Sequence, residues 1–209
     1  MKLARAVFPL IIFSVAMGSL AFGQSAPAGN ASGQQTPAPA PAPAPAPTIA
    51  SVVDREVSSY EKLMVDAAEA MPEDKFHFTP ASLNIPGSAY KDVRTFAQLI
   101  KHTAAANFRF WTTVAGEKMP ENIKGPNGPD ELKSKAEIVQ FLKDSFAVGH
   151  RAAKSLTAEN VLEQLPFRNA TAPRLFLVTF AVIHDGDEYG QMVEYLRMNG
   201  IVPPASQNR

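Results

Sequence analysis

The sequence predicts an all-α fold, a four-helix bundle, on three observations. From Ile49 onward the apolar residues recur at spacings of three, four and seven, the period of an amphipathic helix rather than of a strand. Two helix-start signatures, Thr95 with Gln98 and Ser134 with Glu137, stand just ahead of such stretches. Runs of Pro, Gly and Asn separate four periodic segments. Four helices with no strand signal and no internal repeat default to a bundle.

The bundle is not expected to start at residue 1. Lys2 and Arg5 precede an apolar run from Ala6 to about Ala16, and Ala21-Phe22-Gly23 forms a small-x-small site before Gln24. These are the three parts of a secretory signal peptide, residues 1–23. As a membrane anchor Ala6–Gly23 is barely long enough, and Pro9 and Gly18 interrupt it. No stable membrane insertion is therefore expected after cleavage. Residues 24–47 are Gln, Ser, Thr, Asn, Gly, Ala and Pro, ending in an Ala-Pro repeat. Such a stretch buries nothing, and reads as a disordered linker or semi-rigid tether. The folded domain is expected over residues 48–206.

Lys2 and Arg5 are the only charged residues of that leader, which leaves 18 basic and 20 acidic residues for the rest. A domain so near neutrality projects no broad field, which argues against nucleic acid as a partner. The chain has no cysteine, which excludes disulfides, thiolate ligands, a cysteine nucleophile and a lipid-modified cysteine.

The first helix carries Ile49, Val52, Val53, Tyr60, Leu63, Met64 and Ala67 on one face and stops before Pro72. An irregular stretch over residues 71–93 follows. The second helix starts at the Thr95 box and places Phe96, Leu99, Ile100, Phe110, Trp111 and Val114 on its stripe. A Gly-, Pro- and Asn-rich loop spans residues 116–130. The third helix starts at the Ser134 box and carries Ile138, Phe141, Leu142, Ala152 and Leu156. Thr171 is the expected N-cap of the fourth, with Pro173 in its first turn. That helix runs to about Asn199, and Gly200 ends it. Trp111 and the phenylalanines are at core spacing.

The chemistry concentrates on helix four, where Leu177, Ala181, His184, Glu188, Gln191 and Tyr195 share one side. His184 and Glu188 are four residues apart, so both side chains reach one point. An imidazole and a carboxylate at that spacing can ligate one divalent metal. The third ligand must come from another helix, and His102 is the candidate. It falls at the edge of its helix's apolar stripe, with Asn107 nearer the centre. His77 and His150 read as surface or boundary residues. Asp185 and Asp187 are alternative ligands or, more simply, a solvated acidic patch, and the acidic residues of helix one read as its wet face. Asn169-Ala170-Thr171 matches a glycosylation acceptor by chance. The chain lacks a phosphate-binding glycine loop, G-x-S-x-G and H-E-x-x-H.

The segments VRTFAQLIKHTAAANFRF (Val93–Phe110) and HDGDEYGQMVEYLRMNGIVPPAS (His184–Ser206), with the lead-in MPEDKFHFTP, resemble the DinB/YfiT-like family. The resemblance covers nearly all of residues 50–206. It implies a four-helix bundle with a divalent metal near one end, held by one histidine of helix two and two of helix four. His102 and His184 match two of these positions; Glu188 stands where the family usually has histidine. The implied set is then His102, His184 and Glu188, with zinc, nickel or iron as the cofactor. Gln191 and Asn107 would orient ligands or substrate.

These readings describe a periplasmic or secreted protein with a metal-dependent hydrolase or transferase activity on an unknown small-molecule substrate. The metal would act as a Lewis acid or activate a water. The rival is a non-catalytic helical binding module with a degenerate site. The sequence leaves a homodimer open.

A chain beginning at Thr48 should be soluble and melt cooperatively, with far-ultraviolet circular dichroism dominated by helix. An insoluble product or a sheet-dominated spectrum would refute the domain boundary or the fold class.

Overall fold

The computed structural model describes residues 45–207; the expected signal peptide and most of the Ala-Pro stretch lie outside them. Four long helices form the domain: α1 (Ile49–Ala70), α2 (Phe96–Ala115), α3 (Lys135–Lys154) and α4 (Arg174–Met198). Both expected capping boxes are formed, and Thr48 with Ser51 makes a third at the start of α1. Each box satisfies backbone N–H groups that the first helical turn leaves without intrahelical partners. Gly116 ends α2 in the left-handed conformation at φ 70°, where a residue with a side chain is strained.

Around the bundle the order is α1, α3, α2, α4, so that α1 lies diagonally across from α2. Fifteen of the twenty residues of α2 are buried, including Phe96, Leu99, Ile100, Trp111 and Val114. That helix is therefore the central element, packed between α3 and α4. Its stripe is the one the sequence predicts. On α1 the buried stripe is Val57, Met64, Ala67 and Ala68, rotated from the expected one, and Val52 is half exposed. Leu156 is buried as expected but lies beyond the end of α3.

The expectation of no strand fails in one place. Residues Gln164–Phe167 (β1) pair antiparallel with Ala170–Pro173 (β2), Leu165 opposite Ala172. Pro166 and Pro173 conceal the strand signal, because proline disfavours a ladder; a two-stranded ribbon has only edges, where proline is tolerated. Arg168 makes the turn at φ 54°. Thr171 is thus a strand residue, and Pro173 stands at the N-cap position of α4 without a side-chain capping bond. Residues 71–93 are irregular apart from two 3-10 turns, Glu73–Lys75 and Pro80–Leu83. No helix among the described residues is long and apolar enough to cross a membrane.

His150 is not an isolated boundary residue. Its Nδ1 lies 2.7 Å from Asp54 and its Nε2 2.9 Å from Glu61, both on α1. These acidic residues are therefore not simply a wet face; they clasp α1 to α3. Burial acts against the imidazolium, but the two hydrogen-bonded carboxylates together outweigh it and raise the His150 pKa.

A group whose folded pKa is raised stabilises the fold fully below its unfolded pKa, about 6.5 for histidine, and less as pH climbs through the folded value. The difference in unfolding free energy between the native chain and His150→Ala should therefore be greatest at pH 6 and shrink toward pH 9. Denaturant titrations across that range that give a constant difference would remove the charged clasp.

Candidate metal centre

Because α2 and α4 are neighbours, His102 and His184 meet across their interface, with ring centroids 5.3 Å apart. One turn beyond His184, Glu188 is buried at 4% exposure. Its Oε1 lies 3.5 Å from His102 Nε2 and 3.5 Å from His184 Nε2. One ligand atom from each of the three residues falls within 4.8 Å of the others. Among the described residues this is the only such cluster of histidine and acidic side chains.

The arrangement fits a divalent ion. Two ligands each about 2.1 Å from a tetrahedral ion lie roughly 3.4 Å apart, close to both measured separations. His102 Nδ1 lies 2.6 Å from the carbonyl of Pro126. A carbonyl only accepts, so Nδ1 carries the proton and the neutral ring turns the lone pair of Nε2 toward Glu188. This backbone contact fixes the tautomer as outer-sphere partners of ligating histidines commonly do. His184 differs, since its buried Nδ1 has no hydrogen-bond partner among the described residues.

Electrostatics favours neutral imidazoles. Burial lowers the pKa of His102 against the Pro126 hydrogen bond. Burial, and then the neighbouring His102, bring His184 down to about 4. Burial raises Glu188 to about 7, with Arg94 pulling it down and Asp187 pushing it up. Near neutral pH the trio therefore presents two imidazole lone pairs and a carboxylate close to its own titration point. Where both imidazole lone pairs face the ionised carboxylate the three repel unless a cation or a proton sits among them, and a proton on His184 Nε2 is one such, since its Nδ1 has no partner among the described residues.

The loop between α2 and α3 braces the cluster. Pro126 holds His102, and the neighbouring Asn127 Oδ1 accepts from Arg94 Nε at 2.9 Å. Gly128 follows at φ 69°, where an added Cβ would stand 3.2 Å from the Lys101 carbonyl and 3.0 Å from Phe141. Only glycine allows the loop to lie this close to α2. On the opposite side of α4, a Cβ at Gly186 would stand 2.8 Å from the Tyr60 hydroxyl, so glycine there makes room for the Tyr60 side chain of α1.

Of the neighbours singled out by sequence, Gln191 Nε2 donates to Glu188 Oε2 and to Asp187 Oδ2, each at 3.4 Å. Asn107 is fully buried. Asp185 is not part of a solvated patch: it is 1% exposed, and burial raises its pKa well above the ordinary value, opposed by the facing Asn107 amide. The two face each other without closing a hydrogen bond of ordinary geometry, and neither has another partner among the described residues. Asp185 directly follows His184, about 100° around the helix, and so does not join His184 and Glu188 on their side. His77 and His150 lie outside the cluster. Arg94 had no sequence signal beyond its place just before the Thr95 cap.

Residues 56–192 match the DinB superfamily. A DinB-like protein of Bacillus subtilis has a similar crystal structure, with a TM-score of 0.55 and 16% sequence identity over 76% of this chain and 99% of that one. A DinB-like protein of Bacillus cereus ATCC 10987 matches over 71% of this chain and 89% of that one, with 14% identity and a TM-score of 0.48. No curated protein matches.

If the three residues share an ion, His102→Ala and His184→Ala should each lose bound metal, while His77→Ala and His150→Ala keep it. The check is elemental analysis of protein purified without a metal-affinity tag. Equal metal content in all four variants would rule the cluster out as a metal site.

Proposed function

This chain belongs to the DinB superfamily, and from that premise we propose that it is an exported metal-binding member, holding one divalent ion on His102, His184 and Glu188 and acting on a small-molecule substrate by hydrolysis or group transfer. The observation that carries the reading is the convergence of two imidazole Nε2 atoms on one buried carboxylate oxygen, each at 3.5 Å. Export is supported by the leader over residues 1–23, and the Ala-Pro stretch separates the bundle from it as a spacer. The protein is then periplasmic or secreted.

A divalent ion held here supplies a Lewis acid. Zinc and iron suit a set of two imidazoles and one carboxylate, and nickel suits the imidazoles. The chain's own residues do the rest. Pro126 keeps the proton of His102 on Nδ1, so that Nε2 stays a donor of its lone pair. Glu188 contributes a negative charge that lowers the net charge of the loaded site. Gln191 orients its second oxygen. As pH falls below about 7 Glu188 takes up a proton, and that proton competes with the ion. His102 and His184 each keep 18% of the side chain exposed, which leaves the cluster accessible from one side.

Titration of zinc, nickel and copper into three proteins tests the reading. Glu188→His restores three nitrogens and should raise affinity by about tenfold or more, roughly 1.4 kcal/mol. Glu188→Ala removes a ligand and should weaken binding. Three indistinguishable curves would mean that Glu188 is no ligand and would favour the non-catalytic binding module.

A further inference from the structure

The ligands of α4 sit within a longer ladder. Phe176, Phe180, His184 and Glu188 follow one another at four-residue steps, which places them along one side of the helix. The rings of Phe176 and Phe180 stack, with centroids 5.6 Å apart and planes 28° apart. Phe110 of α2 completes the contact, 5.3 Å from Phe180 and 6.3 Å from His184. The outer end is open: Phe176 is 42% exposed, against the expectation that the phenylalanines are core. Phe167 on the hairpin lies 5.7 Å from Phe176 and extends the surface. An aromatic wall therefore leads from solvent to one metal-ligand candidate.

A different group lies toward the other end. Arg94 is clamped at two points, its Nε donating to Asn127 and its carbonyl accepting from the Tyr195 hydroxyl at 2.8 Å. Its two terminal nitrogens make no hydrogen bond and no ion pair among the described residues. Yet the guanidinium is near enough to act electrostatically on His102, His184, Glu188 and Tyr195. A half-buried, preorganised guanidinium with its fork unused is suited to a planar carboxylate or a phosphate. Phe180 and Glu188 are eight residues apart, about 12 Å along the axis, so an extended small molecule can reach from the wall past the histidines toward Arg94.

We propose that the site takes an organic anion with an apolar, ring-bearing end: Arg94 binds its carboxylate or phosphate, and Phe176 and Phe180 bind the ring. The inference rests on the function proposed above for what lies between the two ends, but its own residues are outside the ligand set. A buried ring and a charge-paired head, placed on opposite sides of the histidines, hold the intervening bonds of the substrate over the cluster. Arg94 acts here as a binding residue that sets substrate class and orientation.

Calorimetric titration with 5-phenylpentanoate, 4-phenylbutyl phosphate, the uncharged 5-phenylpentan-1-ol and acetate tests it, on protein both stripped of metal and loaded with zinc. Both aryl anions should bind more tightly than the alcohol and than acetate, and the tighter of the two identifies the head group. Arg94→Gln should weaken the aryl anions by about tenfold or more and leave the alcohol unchanged. Phe176→Ala, an exposed position safe for folding, should weaken the aryl anions and the alcohol alike and leave acetate unchanged. Zinc affinity should stay unchanged in Phe176→Ala, which lies outside the ligand set, and should shift in Arg94→Gln, because the lost guanidinium acts electrostatically on all three candidate ligands. Equal binding of anion and alcohol, or an Arg94→Gln protein that binds the anions as well as the native chain, overturns the inference. If the native chain binds no zinc but discriminates anion from alcohol through Arg94, the metal reading fails and the anion site stands.

Discussion

The packing of two imidazoles against one buried carboxylate is the constraint on which the arrangement of this site depends. Two imidazole nitrogens each sit 3.5 Å from one carboxylate oxygen in a half-buried interface. Water would relieve such a cluster on an open surface, but here burial weakens that screening. The relief must be a cation or a proton. The directions of the pKa shifts follow: burial favours neutral histidines and a protonated carboxyl, leaving Glu188 poised near neutrality. A site so poised could exchange a proton for a metal ion at little electrostatic cost.

Holding acceptors in place against their repulsion requires a rigid frame. α2 provides it, being buried on nearly every side, and its capping box sets where its first turn begins. The loop at Pro126 and Asn127 reaches back over α2 and grips His102 and Arg94 together, and Gly128 is what lets it approach. On the far side, the His150 clasp ties α1 to α3, and Gly186 lets Tyr60 of α1 come against α4. The buried, facing pair of Asn107 and Asp185 joins α2 to α4, and Leu177, Ala181, Met192 and Leu196 anchor α4 in the core.

The chemistry is polarised along α4. Aromatic rings precede the histidine, the carboxylate follows it, and a cation stands beyond. A helix repeating every four residues gives this order directly, since each step of four advances one turn along nearly the same line. The departure from the three-histidine pattern that the family resemblance implies falls at the middle of the line. There a carboxylate in place of imidazole changes the charge of the site without changing its position.

The bundle itself was legible in the sequence because helix starts and apolar periods are local. The Thr95 and Ser134 boxes and the α2 stripe depend on residues a few positions apart, and the structure forms them as read. The four-residue spacing of His184 and Glu188 is local in the same way. The β-hairpin was hidden because its prolines contradict strand propensity, and only the pairing of two edges makes them acceptable. Periodicity put His102 at the margin of its stripe, and it is the adjacency of α2 to α4 that turns that margin toward His184. The burial of Asp185, the pairing of His150 and the place of Arg94 beside the ligands are likewise decisions of packing. Each depends on which helix becomes a neighbour, and that is set by the shared core of the whole bundle, which no single segment of the chain contains.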